Sequence, residues 1–273
     1  MRLFLLALLA PIFSLALLPP QLRAEPAPQV TARGDFSVPP DGPPIRFSFY
    51  NENIYLAQSE HTVSDLNALV LLPITERLDL YLGFHFARDW DEQLDLSFAS
   101  SYFAPTVGFR FGVLSHLNLW AEYRYLIHDN DGPILRPETE DDGRVGLTYY
   151  DEFFITRLAK DWTFTDEVYA ESFWMPRIAD NAVVNAVWSK LLFNYSLIAG
   201  RLVISPYGEF YLVESNNLEL GGDSAELRAG LRLDVRASDN VSVKLLAHRG
   251  TNIFGSNELL NPTQVLLVIG GQL

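Results

Sequence analysis

From Ile45 onward, apolar and polar positions alternate along the chain with a period of two. Leu78, Leu80, Leu82, Phe84 and Phe86 alternate with Asp79, Tyr81, Gly83, His85 and Ala87. Val107, Phe109, Phe111 and Val113 do the same against Gly108, Arg110 and Gly112. Leu227, Ala229, Leu231, Leu233 and Val235 alternate with Glu226, Arg228, Gly230, Arg232 and Asp234, and Val241 to His248 continues the pattern. Successive side chains of a strand point to opposite faces, so each segment has one apolar and one polar side. Turn residues divide the region into twelve expected strands: 45–58, 64–75, 78–90, 100–114, 117–128, 143–156, 162–176, 182–197, 201–214, 224–237, 240–250 and 263–273. Most are 10–15 residues long, whereas strands of soluble sandwiches are nearer five or six. Tilted strands of this length span a bilayer.

The connections alternate in length. Thr75-Glu76-Arg77, Ser115-His116, 157–161, 198–200 and Ser238-Asp239 are tight, while 59–63, 91–99, 129–142, 177–181, 215–223 and 251–262 are mostly longer and often acidic. Short turns on one side and long loops on the other are how an up-and-down membrane barrel is connected, and a soluble sandwich has no reason for the alternation. An even strand number places both ends of the barrel on the short-turn side. No stretch after Ile45 approaches the 18 apolar residues of a transmembrane helix.

The N-terminal residues 1–24 read as a cleaved secretory signal peptide. Arg2 precedes an apolar run from Leu3 to Leu18, Pro19-Pro20 breaks it, and Leu22-Arg23-Ala24 offers a cleavage site. Residues 25–44 are proline-rich without an apolar period and read as a periplasmic linker. Its Arg33-Gly34-Asp35 is a chance tripeptide. The barrel occupies 45–273.

Composition narrows the functional classes. The 273 residues carry 34 Asp and Glu against 20 Lys and Arg, a net charge of −14, which speaks against a nucleic-acid partner because phosphate binding needs clustered bases. With no cysteine there is no disulfide framework, thiolate metal site, cysteine nucleophile or lipoprotein anchor.

With this pattern, residues 45–273 resemble the Gram-negative outer-membrane β-barrels. The last strand, with Val265, Leu267, Ile269, Gly271 and Leu273 at alternate positions, is similar to their C-terminal assembly signal, but ends in leucine where an aromatic residue is usual. The resemblance implies an all-β, transmembrane, antiparallel up-and-down barrel in the outer membrane. Its implied partners are outer-membrane lipid, lipopolysaccharide and, through the last strand, the barrel assembly machinery. Tyr169 to Trp174 and Pro206 to Glu209 look loosely similar to barrels of polysaccharide-export or phage-receptor proteins.

On the apolar face, Phe47, Phe49, Tyr123, Tyr125, Tyr149, Trp162 and Trp174 are candidates for the aromatic girdles at the membrane interfaces. The polar face is expected to line the lumen with Asp79, His85, Arg110, Glu122, Arg124, Glu171, Glu209, Glu226, Arg228, Arg232, Asp234, Lys244 and His248. Two arrangements fit these nearly balanced charges. Paired across strands, they rigidify a narrow or closed barrel; separated into opposing rows, they set a transverse field across an aqueous pore. Twelve strands lie between the eight that side chains fill and the sixteen that leave a channel.

Residue types that could serve catalysis are scattered over the same pattern. His61, Ser64 and Asp65 share the first long connection, and Ser215 and Ser256-Asn257 lie on later ones, without the strand-to-strand His and Ser arrangement of outer-membrane phospholipases. Asp89, Asp91, Glu92 and His128-Asp129 sit near the outer rim, as acids and histidines do in omptin-type proteases, but no tuned pair is evident. Asp129-Asn130-Asp131-Gly132 starts like a calcium loop and lacks the later ligands. The five histidines, His61, His85, His116, His128 and His248, have no metal-ligand spacing. The expectation is a non-enzymatic, narrow porin-like passage for ions or small solutes, without cofactor or metal. The alternatives are a closed structural or receptor barrel with acidic external loops and, third, a barrel hydrolase.

Overall fold

The alternation closes on itself. In the computed structural model, which describes residues 45–57, 61–90, 101–129, 139–176, 182–198, 200–216, 223–254 and 263–272, twelve antiparallel strands form a closed barrel. They are β1 (Arg46–Leu56), β2 (His61–Pro73), β3 (Leu78–Asp89), β4 (Tyr102–Leu114), β5 (Leu117–His128), β6 (Thr139–Ala159), β7 (Trp162–Met175), β8 (Ala182–Ile198), β9 (Leu202–Ser215), β10 (Ser224–Arg236), β11 (Val241–Phe254) and β12 (Thr263–Gln272). Each strand pairs with the next, and β12 closes on β1 through Ser48 opposite Gln272 to Leu56 opposite Gln264. Closure removes every sheet edge, which a bilayer-spanning sheet requires. The short connections are hydrogen-bonded turns: Ile74 N–H donates to the Leu78 carbonyl at 2.8 Å and Ala237 N–H to Val241 at 3.0 Å. In the β8–β9 turn Gly200 has φ 67°, a backbone conformation that favours glycine.

The expected signal peptide and linker, the Arg33-Gly34-Asp35 tripeptide, Asp91, Glu92, the Asn130-Asp131-Gly132 run, Ser256-Asn257 and Leu273 lie outside the described residues.

The two faces separate as the alternation requires. Residues directly opposite across an antiparallel ladder point to the same side. The row Val70, Leu82, Val107, Tyr123 is exposed throughout, and so are Leu227, Leu231, Leu245 and Leu267 on β10 to β12. Neighbouring positions carry the buried polar residues, among them Asp79, Glu167, Glu209, Glu226, Arg232 and Lys244. An apolar exterior around a polar interior is the inverse of a soluble protein and the arrangement of a membrane barrel. The seven girdle candidates all share the outward parity. Trp162 stacks on Tyr195 at 4.7 Å near the short-turn end, and Trp174 lies near the opposite end of the same strand.

The largest departure from expectation is β6. The sequence predicts 143–156 with a loop over 129–142; the strand runs from Thr139 to Ala159. Four residues of the expected loop, Thr139 and three acids, join the ladder opposite β5. Asp142 accepts from Arg144 at 2.6 Å, and Glu140 lies 3.5 Å from His128 Nε2. At the other end, register shifts between Phe154 and Thr156 and between Arg157 and Ala159 let the strand continue past its expected end. Likewise β2 begins at His61 rather than 64, and β11 extends to Phe254 rather than 250.

Candidate functional site

Parity places Asp79, His85, Arg110, Glu122, Arg124, Glu171, Glu209, Glu226, Arg228, Arg232, Asp234, Lys244 and His248 on the inward face, and most of the charged ones join ion-pair networks rather than two opposed rows. Near the short-turn end, Asp79 on β3 accepts from Arg46 on β1 at 2.8 Å and from Arg110 on β4 at 2.5 Å. Higher on the same wall, Tyr81 donates to Glu122 on β5 at 3.2 Å, and Glu122 pairs with Arg124. That reach passes over β4 at Gly108, where a Cβ would lie 2.4 Å from the Tyr81 ring.

A second network occupies β7 to β11. One Arg232 nitrogen donates to both Glu167 oxygens at 2.8 Å, and Nε donates to Asp234 at 2.7 Å. Asp234 lies directly opposite Lys244. Because Glu167 is on β7 and Arg232 on β10, the bridge crosses the interior past β8 and β9. Glu209 receives Lys190 at 3.0 Å and Arg228 at 3.2 Å, and Arg228 also donates to Glu226 at 2.7 Å. Such buried charges are tolerable only when paired and hydrogen-bonded. Glu226 is 1% exposed and Asp142 is fully buried.

The remaining inward residues are held by neutral contacts. Thr148 receives Trp120 Nε1 at 2.8 Å and donates to Glu171 at 3.5 Å. His248 Nδ1 is 2.8 Å from the Tyr207 hydroxyl, and its Nε2 is 3.1 Å from Gln264 Oε1. The contact with Tyr207 passes over Gly230, whose Cβ would meet the Ala247 carbonyl at 2.3 Å. His85 is buried between Asn67 and Ala104 in the ladder.

Arg46, Glu167, Lys190 and the Arg144–Asp142 pair also lie on the inward face, although the sequence pattern does not mark them as lining residues and places Asp142 in an acidic loop. Glu167 follows Asp166, so two adjacent acids leave the inward one undecided locally; its spacing of four from Glu171 carries the parity signal. Arg46 begins its strand, where alternation has not yet been established. Asp142 stands where a loop is expected, and Arg144 among the first positions of its expected strand, where alternation is barely begun.

The candidate catalytic groups are placed differently. Ser64 faces outward, donating to Asn53 at 2.7 Å and accepting from Trp90 Nε1 at 2.8 Å. Asp65, next along the strand, faces inward, so the two do not converge. His128 faces inward against Glu140, and Asp129 pairs with Arg88. Ser215 N–H donates to Asp223 at 3.0 Å, which caps the strand end.

No protein-family model and no curated protein matches the chain. Solved structures do. The β domain of the Bordetella autotransporter BrkA is 12% identical, covering 83% of this chain and 98% of that one, with a TM-score of 0.43. LpxR from Salmonella typhimurium is 11% identical over 82% and 99%, TM-score 0.45. An outer membrane channel from Pseudomonas putida F1 is 13% identical over 90% and 100%, TM-score 0.42. With identities of 11–13% and TM-scores below 0.5, these likenesses assign no family or role to the chain, and the closed barrel is shown by its own strand pairing.

Proposed function

We propose that the chain is a narrow porin-like pathway for ions or small solutes in the Gram-negative outer membrane, delivered by cleavage of residues 1–24 and joined to its periplasmic side by the 25–44 linker. The observation that carries this reading is the sorting of charge: the buried ion pairs occupy the inward face, and the large exposed apolar side chains lie on the outward one. The thirteen inward residues Asp79 to His248 line the passage, together with Arg46, Glu167 and Lys190. The Glu167–Arg232 bridge narrows it, which favours small solutes over bulk diffusion. Lipid and lipopolysaccharide surround the outward face, and β12 supplies the assembly signal. The protein is expected in the outer-membrane fraction, migrating faster unboiled than boiled in detergent gels. Recovery in the soluble periplasm would overturn the placement.

A second reading, a closed structural or receptor barrel, is favoured by one specific contact. Leu192, Tyr207, Leu246 and Val268 meet in an inward apolar cluster with Tyr50 and Leu266 against it. Conductance of the refolded barrel in a planar bilayer decides between them. The pathway predicts small discrete steps whose ion selectivity shifts toward cations in Arg228→Gln. A folded, heat-modifiable barrel that stays silent establishes the closed reading.

A further inference from the structure

Beyond its ion pairs, the inward wall carries a run of aromatic rings in register. Tyr150 on β6 lies directly opposite Tyr169 on β7, Tyr169 opposite Trp188 on β8, and Trp188 opposite Tyr211 on β9. Four adjacent strands therefore present rings on one ladder row, about 4.8 Å apart from strand to strand. Tyr169 and Trp188 stack at 5.6 Å and 18°, and Tyr150 meets Trp188 edge-on at 6.4 Å. Because strands of a barrel are tilted to its axis, a row perpendicular to them climbs the wall as it passes from strand to strand. Tyr150, Trp188 and Tyr211 remain partly exposed.

The neighbouring ladder row is ionic. Glu152, Glu167, Lys190, Glu209 and Arg228 follow one another across β6 to β10. Lys190 Nζ lies 4.8 Å from the Trp188 ring, and Arg228 Cζ lies 4.2 Å from the Tyr211 ring. A rising line of ring faces beside a line of paired donors and acceptors has a specific chemical complement. The C–H face of a pyranose packs on an aromatic ring, while its hydroxyls exchange hydrogen bonds with carboxylates and guanidinium groups. A small cation would have to displace Lys190 and Arg228 from the rings they already lie against, and an apolar solute would leave the ionic row unused.

We infer that the partly exposed Tyr150, Trp188 and Tyr211 rings, with the buried Tyr169 backing Trp188 and the flanking ion pairs beside them, form a binding track for a neutral oligosaccharide. The inference rests on the pathway reading for access to the track. Neutral sugars fit better than acidic ones because the chain carries a net charge of −14, which repels polyanions.

The test uses the refolded full barrel and two probes, maltohexaose and cellohexaose, with a hexauronate as the charged comparison. Titration calorimetry in detergent measures binding, and a planar bilayer measures interruption of current. At least one neutral hexasaccharide is expected to bind and to block. Trp188→Leu is expected to weaken binding about tenfold, from the loss of one ring stack. Tyr211→Ala supplies the second variant should Trp188→Leu fail the gel-shift test for folding, and the outward Trp174→Leu should leave affinity unchanged. Absence of binding by both neutral sugars overturns the inference, and so does binding that is equal in all three variants or preferential for the hexauronate. Conducting steps with no sugar binding remove the track and leave the pathway standing. Sugar binding by a barrel that never conducts removes the pathway and leaves the track.

Discussion

Glu167→Ala lowers the stability of the folded barrel by about 3–5 kcal/mol, the range for removing one partner of a buried pair. The side chain is 5% exposed and accepts two hydrogen bonds from Arg232, itself 7% exposed. Without it, Arg232 retains Asp234 at 2.7 Å, but that carboxylate also lies opposite the buried Lys244. One acid then serves two cations that are both buried in the wall. The urea midpoint of the barrel refolded into lipid vesicles, read by gel mobility, measures the loss. The double variant Glu167→Leu with Arg232→Leu should be damaged less than either single one, because removing both charges leaves Asp234 and Lys244 to pair directly. Buried ion pairs replaced by apolar groups are commonly near neutral in stability. A loss under about 1 kcal/mol in Glu167→Ala is what an exposed pair gives, and would show that water reaches this bridge and that it does not narrow the interior.

The extent to which this interior was legible in the sequence follows from what alternation encodes. A lipid-facing side must be apolar at every second position, so the twelve strands and their parity are written locally, residue by residue. Strand ends are not. The acidic 139–142 segment has the composition of a loop, yet it pairs with β5, where Arg124 stands opposite Asp142 and His128 lies 3.5 Å from Glu140. Nor are contacts between strands two or three apart legible. Asp79 gathers Arg46 and Arg110, and Arg232 reaches Glu167, through distances set by barrel closure rather than by spacing along the chain. The glycines show the same limit. In sequence, Gly108 and Gly230 are merely the small members of alternating strands. In the barrel they are the low points over which Tyr81 reaches Glu122 and Tyr207 reaches His248.

Leu231→Arg should be nearly as costly, for the opposite reason. Leu231 is 50% exposed in the middle of β10, between Pro206 and Ala247 on the outward face. In water an arginine there would be harmless. At the midplane of a bilayer it costs about 2–4 kcal/mol, falling to about 0–1 near the interfaces. Val235→Arg on the same strand and face, four residues nearer the short-turn end, should therefore cost much less. The contrast with the native sequence is sharp, because Arg232 is the very next residue. The wall accepts a guanidinium at 232, where parity directs it to Glu167, and should reject one at 231, where parity directs it to lipid. Refolding into vesicles with urea titration gives both values. If Leu231→Arg and Val235→Arg cost the same small amount, the exposed apolar surface is not in hydrocarbon, and the inward and outward faces would have to be reassigned.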